Sequence, residues 1–553
     1  MKRFLTSLLE AALRRAVQKG RLPEVELPQV VLDYPPEGRF GDYATNLAMV
    51  LAPRCGMSPR EVASRVLEEL EGSEVLSRVE VAGPGFINLF LKDEVWFEAL
   101  RTACLQGEGY GRVDVGRGQR VLVEFVSANP TGPLHIGHGR IAALGDTLAR
   151  LLERAGYRVE REYYINDVGT QMELLGRSVY ARYCELSGLR VPFPEEGYRG
   201  DYIREIAEGI LKEEGRRYLE VPEEEAVRRL AERAKEVILG WIRDDLERFR
   251  VSFDRWSSER SLYEAGEVQE VLEELRTKGL LYEREGALWF KSTLFGDEKD
   301  RVVVRASGAT TYFASDIAYH RRKLQRGYDI LIDLWGADHH GYVKRVEAAV
   351  EALGYGKERL KVILVQLVNL LRGGERVSMS TRAGEFATLK EVMDEVGVDA
   401  CRYFFLLRRA ESPLDFDLEL AKRQGEENPV YYVQYVHARI ASILRKAAER
   451  GVGVPPPEEV DLSPLELPEE REIAKQVGLF PEVVEGMALS LEPHHLPPYL
   501  HRLAGTFHSY YNKHRVLSED RALTAARLLL VQGVKQVVRN ALELLGTTAP
   551  EEM

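Results

Sequence analysis

The chain has 553 residues, 45% of them apolar and 30% charged, with a formal net charge of −12, too much apolar material for one core and enough for three or four. The acidic balance excludes attraction of the whole molecule to nucleic acid, so any phosphate contact falls to local basic surfaces. Four scattered cysteines without a CxxC pair argue against a thiolate zinc site; no apolar window of about 18 residues and no secretory N-terminal core predict a cytoplasmic protein without a membrane span.

In chain order, residues 1–112 read as a small α+β unit: a helix over Phe4–Lys19, a second over Pro59–Leu70 and a strand "GFINLFL" at Gly85–Leu91. A Gly-rich link leads to "VLVEFVS", an apolar run of strand length. Asn-Pro and Gly-Pro turn signals follow, then the helix "GRIAALGDTLARLLERAGY" and the strand pattern "RVEREYYIND". Strand, helix and strand in that order predict a βαβ unit and a parallel sheet. Residues 174–298 are helical and heavily charged, with one strand-like "GALWFKST", and read as an insertion. Alternation resumes with "YDILIDLWGA", "YVKRVEAAVEALGY" and the strand "LKVILVQLVNLL". Beyond about Pro413 every segment reads as helix, predicting a C-terminal bundle.

Two strings carry chemistry. His135-Ile136-Gly137-His138 stands where a strand turns into a helix. In α/β sheets this is where ligands bind, and the helix N-terminus favours anions. Two imidazoles three residues apart on that first turn are placed to donate to a phosphoryl oxygen as it gains charge, and Gly137 lets a base or ribose approach the backbone. The alternatives are zinc, for which the HExxH spacing and its Glu are missing, and a helix cap, which explains one histidine. "RVSMSTRAGEFATL", Arg376–Leu389, is a hydroxyl- and Gly-rich loop in which Arg382 is a cation for pyrophosphate; by itself it reads more readily as a solvated loop.

In this order and on these elements, the two strings resemble the HIGH and KMSKS signatures of class I aminoacyl-tRNA synthetases. "VEFVSANPTGPLHIGHGR", "REYYINDVGTQ", "TYFASDIAYH", "WGADHHGY" and "MSTRAGEFATL" together resemble the arginyl-tRNA synthetases nearly end to end. The resemblance implies a multidomain α/β protein. It has an added α+β N-terminal domain (1–112), a Rossmann-type catalytic domain (118–410) with an inserted helical region (174–298), and an all-α anticodon-binding bundle (411–553). It also implies ligation of L-arginine to its tRNA by way of arginyl-adenylate, with ATP entering as its Mg²⁺ complex, no tightly held metal, and a monomeric enzyme whose activation step requires tRNA. By the same resemblance ATP meets Asn129, Pro130, His135, Ile136, Gly137, His138, Gly336, Asp338, His339, Met379, Ser380, Thr381 and Arg382. Arginine meets Glu124, Ser127, Asn129, Tyr312, Asp316 and His340, and tRNA meets Phe86, Asn88, Tyr435, His437, Arg439 and Tyr511. The acidic residues among these suit arginine, because a planar cation that cannot lose its proton needs carboxylates placed for forked hydrogen bonds.

The chain departs from the family at Ser378 and Thr381, where the second signature usually carries lysines, so the phosphate charge is met otherwise; Arg382 is the candidate, and which cation grips the pyrophosphate stays open. Cys401 interrupts the usual Asp-Ala-Leu-Arg string at Asp399–Arg402. Rival readings are a relative that charges another amino acid, cysteine first, and a non-catalytic RNA-binding paralogue. The acidic pocket residues oppose the first, and the intact His135–His138 string opposes the second.

Overall fold

The opening helix, Lys2–Gln18, buries Leu5, Leu9, Ala12, Leu13 and Ala16, the stripe that its three- and four-residue apolar spacing demands. The structure, a computed structural model, describes residues 1–35, 37–70, 72–377 and 387–553. Residues 1–111 form a three-stranded antiparallel sheet of β1 (Tyr43–Thr45), β2 (Leu76–Ala82) and β3 (Phe86–Leu91), ordered β1-β3-β2. The expected second helix runs Pro59–Leu67 and starts on a capping box between Ser58 and Glu61. Helices Leu47–Cys55 and Asp93–Gln106 add to the expected elements. These residues share one compact unit with 440–483 and 505–537. Gly478 and Gly533 let the C-terminal helices close on Asp93–Gln106, since a Cβ there would lie 2.9 Å from the Trp96 ring and 2.3 Å from Leu100. The bundle predicted as one body is thus divided between two units.

The second unit holds residues 112–439, 484–504 and 538–553. Its strands are β4 (Arg120–Glu124), β5 (Arg158–Ile165), β6 (Arg255–Ser258), β7 (Leu281–Arg284), β8 (Ala287–Phe290), β9 (Arg301–Val304), β10 (Ile330–Gly336), β11 (Leu360–Val365), β12 (Val368–Arg372), β13 (Glu375–Arg376) and β14 (Leu414–Asp417). Five of them make a wholly parallel sheet ordered β11-β10-β4-β5-β6. The chain leaves β4 toward β5 on one side and later returns to β10 on the other, so the topological switch point lies between β4 and β10. A crevice for ligands is expected beyond their carboxyl ends.

Three sequence expectations change. β6 lies inside the stretch read as an insertion yet closes one edge of the parallel sheet; "RWSS" has no apolar run to betray it. The same stretch and its flank carry a small antiparallel sheet, β7-β8-β9. "LKVILVQLVNLL" is two strands in different sheets, and the segment after Pro413 opens with a strand, β14, paired to β12.

Arg402 ties this unit together. Fully buried, it donates to the Leu545 carbonyl (2.7 Å), the Phe249 carbonyl (2.9 Å) and Asp146 (2.5 Å). Arg402→Met leaves two carbonyls and part of a carboxylate unpaired, so urea unfolding should show a loss of about 3–5 kcal/mol. A loss below about 1 kcal/mol would mean that water or Arg150 takes over its bonds.

Candidate active site

The first signature string forms a cap built from imidazoles. His135 is the N-cap of helix Ile136–Arg154, and its Nδ1 accepts from the amides of Gly137 (3.1 Å) and His138 (3.4 Å). His138 Nδ1 accepts in turn from the His135 amide (3.3 Å), and the rings stack with centroids 3.6 Å apart. An accepting Nδ1 places the ring proton on Nε2 in both residues. Burial lowers the His135 pKa; it pushes that of His138 down to about 3, with help from the neighbouring ring. Both rings are therefore neutral donors through Nε2 at physiological pH. The cap uses Nδ1 of each ring and is compatible with the phosphate expectation, which calls on Nε2.

The same helix start is tied to the ends of the second signature. Ile136 and Leu389 donate backbone bonds to Ala387 and Leu134 (3.2 and 2.8 Å), and buried Arg140 donates to the carbonyls of Gln366, Arg409 and Ser412 at 2.7–2.8 Å. Met379, Ser380, Thr381 and Arg382 lie outside the described residues.

At the carboxyl end of β4 the chain kinks. Val126 (φ 69°) and Ser127 (φ 39°) take left-handed backbone, which a β-branched valine adopts only under constraint. The kink lets Ser127 Oγ donate to Glu124 (3.0 Å) while it accepts from the Tyr164 amide (3.1 Å). Glu124 stands in register with Asp333 on β10 and Glu162 on β5, a row of three buried acids across the sheet. Lys323, fully buried, donates to Glu124 (2.8 Å) and to both Asp333 oxygens (2.8 and 3.0 Å). Arg326, Tyr319 and Ser257 hold Glu162. Burial would raise the Asp333 carboxyl, but Lys323 and His320 hold it at about 2. Glu124, whose one ammonium contact among the described residues is Lys323, is left above the usual carboxylate range by its burial.

Beside this row lies a group of polar atoms that sequence reasoning missed. Glu259 directly follows β6, is 2% exposed, and accepts one bond, from Ser315 Oγ (2.7 Å); its Oε2 has no partner among the described residues. The Tyr164 hydroxyl and Asn166 Oδ1 are likewise buried and unpaired among those residues. Tyr312 shares a side-chain hydrogen bond with Asn166, and both Tyr164 and Tyr312 feel the charges of Glu259 and Asp316. Asp316 accepts from the Tyr342 hydroxyl, and burial raises its pKa. Burial, and after it the Asp316 and Asp167 charges, push Glu259 up to about 7. Buried acceptors without donors are rare, and two carboxyls with no side-chain cation in contact among the described residues present an acceptor set that matches the donors of a planar cation. "WSSER" holds Glu259 with no periodic or motif signal, because its role appears only when β6 is laid beside β5.

Asp338, His339 and His340 follow β10 at the switch point and are exposed, with His339 3.5 Å from Asp338; Gly336 ends β10 just before them. Phe86 is 40% exposed at the start of β3, whereas Asn88 is buried. His437 is buried and bonded to the Pro550 carbonyl (2.8 Å), which removes it from direct contact with RNA and makes it part of the helix packing. Tyr510 is core in the same way, its hydroxyl on Glu470 (3.1 Å). Arg439 lies over the Tyr435 ring at 4.4 Å, and Tyr511 stacks on Phe507 at 6.0 Å. Among the described residues, no helix is long and apolar enough to cross a membrane.

Comparison with known proteins places these observations in context. The family model for the class I (R) tRNA synthetase catalytic domain matches residues 100–404; the models for the arginyl tRNA synthetase N terminal domain and the DALR anticodon binding domain match 4–91 and 433–553. The arginine--tRNA ligase of Syntrophotalea carbinolica is 52% identical over 554 residues, spanning 100% of both chains. That of Desulfosudis oleivorans is 53% identical over 556 residues, with the same coverage. The solved arginyl-tRNA synthetase of Thermus thermophilus superposes with a TM-score of 0.77 at 26% identity, covering 99% of this chain and 100% of that one.

Proposed function

The chain belongs to the class I arginyl-tRNA synthetases, and from that premise we infer that the unpaired acceptors around Glu259 receive the substrate guanidinium while the His135–His138 turn receives ATP. The enzyme activates L-arginine with ATP and transfers it to the 3′ end of its tRNA, releasing AMP and diphosphate.

The site assignment rests on one observation, the buried Glu259 Oε2, Tyr164 hydroxyl and Asn166 Oδ1 left without donors among the described residues, next to Asp316. A guanidinium carries five N–H donors in a fixed fork and no acceptor, the complement of that set. Tyr312, Asp316 and Glu259 then hold the side chain, and Glu124, Ser127 and Asn129 at the mouth of β4 hold the α-amino end. Asp338, His339 and His340 face ribose and substrate from β10.

The arginine carboxylate is already ionised, so activation needs no general base. Its oxygen bonds to the α-phosphorus of the Mg²⁺–ATP complex as the bond to the bridging oxygen of diphosphate breaks and that oxygen takes the electron pair. His135 and His138 donate through Nε2 to the charge that builds on the phosphoryl oxygens. Arg382 is the candidate cation for the charge of the departing diphosphate. Activation requires bound tRNA, the working form is a cytoplasmic monomer, and exposed Phe86, with Tyr435, Arg439 and Tyr511, meets the tRNA through stacking and donors. Residues 1–112, 118–410 and 411–553 act as elbow-binding, catalytic and anticodon-binding domains even though their helices pack across those bounds.

The test is charging of total tRNA with each of the twenty amino acids: arginine alone should be attached, and charging by another would overturn the pocket assignment. Within the pocket, Asp316→Ala should raise the arginine KM at least about tenfold, the scale of one lost charge-assisted contact, and leave tRNA affinity unchanged in a filter-binding assay. Unaltered arginine kinetics would remove Asp316 from the site.

A further inference from the structure

Lys323 is 0% exposed, and its single ammonium serves two carboxylates on neighbouring strands, Glu124 on β4 and Asp333 on β10. Its position is over-determined. It projects from the helix Tyr312–Gln325, it stands 4.6 Å from the Tyr319 ring centroid, and Asp333 is further held by His320 Nε2 at 2.9 Å. Among the described residues Glu124 by contrast keeps only Lys323 and Ser127 as donors, and lies at the carboxyl end of β4, beside the topological switch point. An unpaired carboxyl in such a place would take up a proton to avoid a buried charge.

Building on the reading of Glu124 as a ligand of the amino acid, we propose that Lys323 is a positioning residue for the substrate: its ammonium, shared between Asp333 and Glu124, orients the Glu124 carboxylate and opposes its protonation, so that it accepts the α-ammonium of arginine. The groups that face Glu124 are Lys323, His320 and Tyr319 from the helix Tyr312–Gln325, Asp333 from β10, and Glu162 and Tyr164 from β5. Among these only Lys323 touches the Glu124 carboxylate with a charge of the opposite sign. Removing it leaves Glu124 next to Asp333 with no ammonium between them, which favours the protonated carboxyl and makes its charge depend on pH.

Aminoacylation kinetics at saturating ATP and tRNA test this with Lys323→Met, and with Lys323→Gln should the methionine variant fail to fold. The readout is the ratio of variant to wild-type arginine KM between about pH 6.5 and 8.5, in which titration of Glu259 and of the substrate cancels. We expect a ratio of about tenfold or more at the acid end, falling several-fold at the alkaline end, with the ATP KM little changed. A merely structural role would move the ratio without pH dependence. A ratio near one, or a raised ratio that is flat with pH, overturns the proposal. Glu124→Gln separates the two layers: it should raise the arginine KM with a flat ratio, and an unchanged KM would overturn the reading of Glu124 itself.

Discussion

Glu259→Gln should lower kcat/KM for arginine by about 10²–10³, the effect of taking the charged partner from a buried guanidinium, about 3–4 kcal/mol. The wild-type enzyme should also show arginine binding coupled to proton release. Its carboxyl titrates at about 7 in the empty site because burial and the Asp316 and Asp167 charges oppose ionisation. A guanidinium selects the ionised form, so the arginine KM should rise up to about tenfold per pH unit as pH falls below that value. Stability has the opposite sign to the usual carboxylate. A folded-state pKa above the unfolded one means that the empty enzyme loses stability as pH rises from about 4.5 through about 7, by about 3 kcal/mol. Glu259→Gln removes that loss, so calorimetry at pH 8 without arginine should show a variant more stable than wild type and nearly inactive. A variant with wild-type arginine KM and unchanged thermal stability would place Glu259 outside the pocket.

His138→Ala should reduce kcat for arginine activation by about 10²–10³, the range for loss of one preorganised donor to a developing oxyanion, with the arginine KM near wild type. The same change removes half of the imidazole capping box, an additional stability loss of about 1 kcal/mol. His138 is held neutral down to about 3 by burial and by the His135 ring, so neither the activity nor its loss should bring an inflection to the kcat profile between about pH 6 and 9. An ionisation near 6.5 that disappears in His138→Ala would show instead that the imidazolium is the working form. Rapid-quench measurement of the activation step in the presence of tRNA separates this effect from slow transfer or product release.

Much of the site was legible because its signals are local. The string His135–His138 carries its own meaning: a helix cap needs only adjacent residues, and a helix start after a buried strand is an anion site wherever it occurs. Glu124, Ser127 and Asn129 were likewise within reach, since they share that strand and its turn. Their partners were not. That Glu124 shares an ammonium with Asp333 depends on Lys323, 199 positions away in sequence, and on the in-register pairing of β4 with β10. Glu259 was invisible for the same reason, as it sits after a four-residue strand with no apolar periodicity and becomes a pocket residue only beside Ile165, to whose carbonyl its amide donates at 2.9 Å. His437 shows the opposite error: a histidine among helix aromatics reads as a donor for bases, and its burial under Pro550 is decided by how the last residues fold back.

By itself, the sequence determined the βαβ start of the parallel sheet, the amphipathic helices, the helix start at His135 and the family. Each of these rests on spacing along the chain, which periodicity and hydrogen bonding within a few residues enforce. Tertiary structure alone decided which acids contact a cation among the described residues and which do not, where β6 joins the sheet, and how the C-terminal helices divide between two compact units. Charge pairing and desolvation act through space across residues distant in sequence, so no local pattern encodes them.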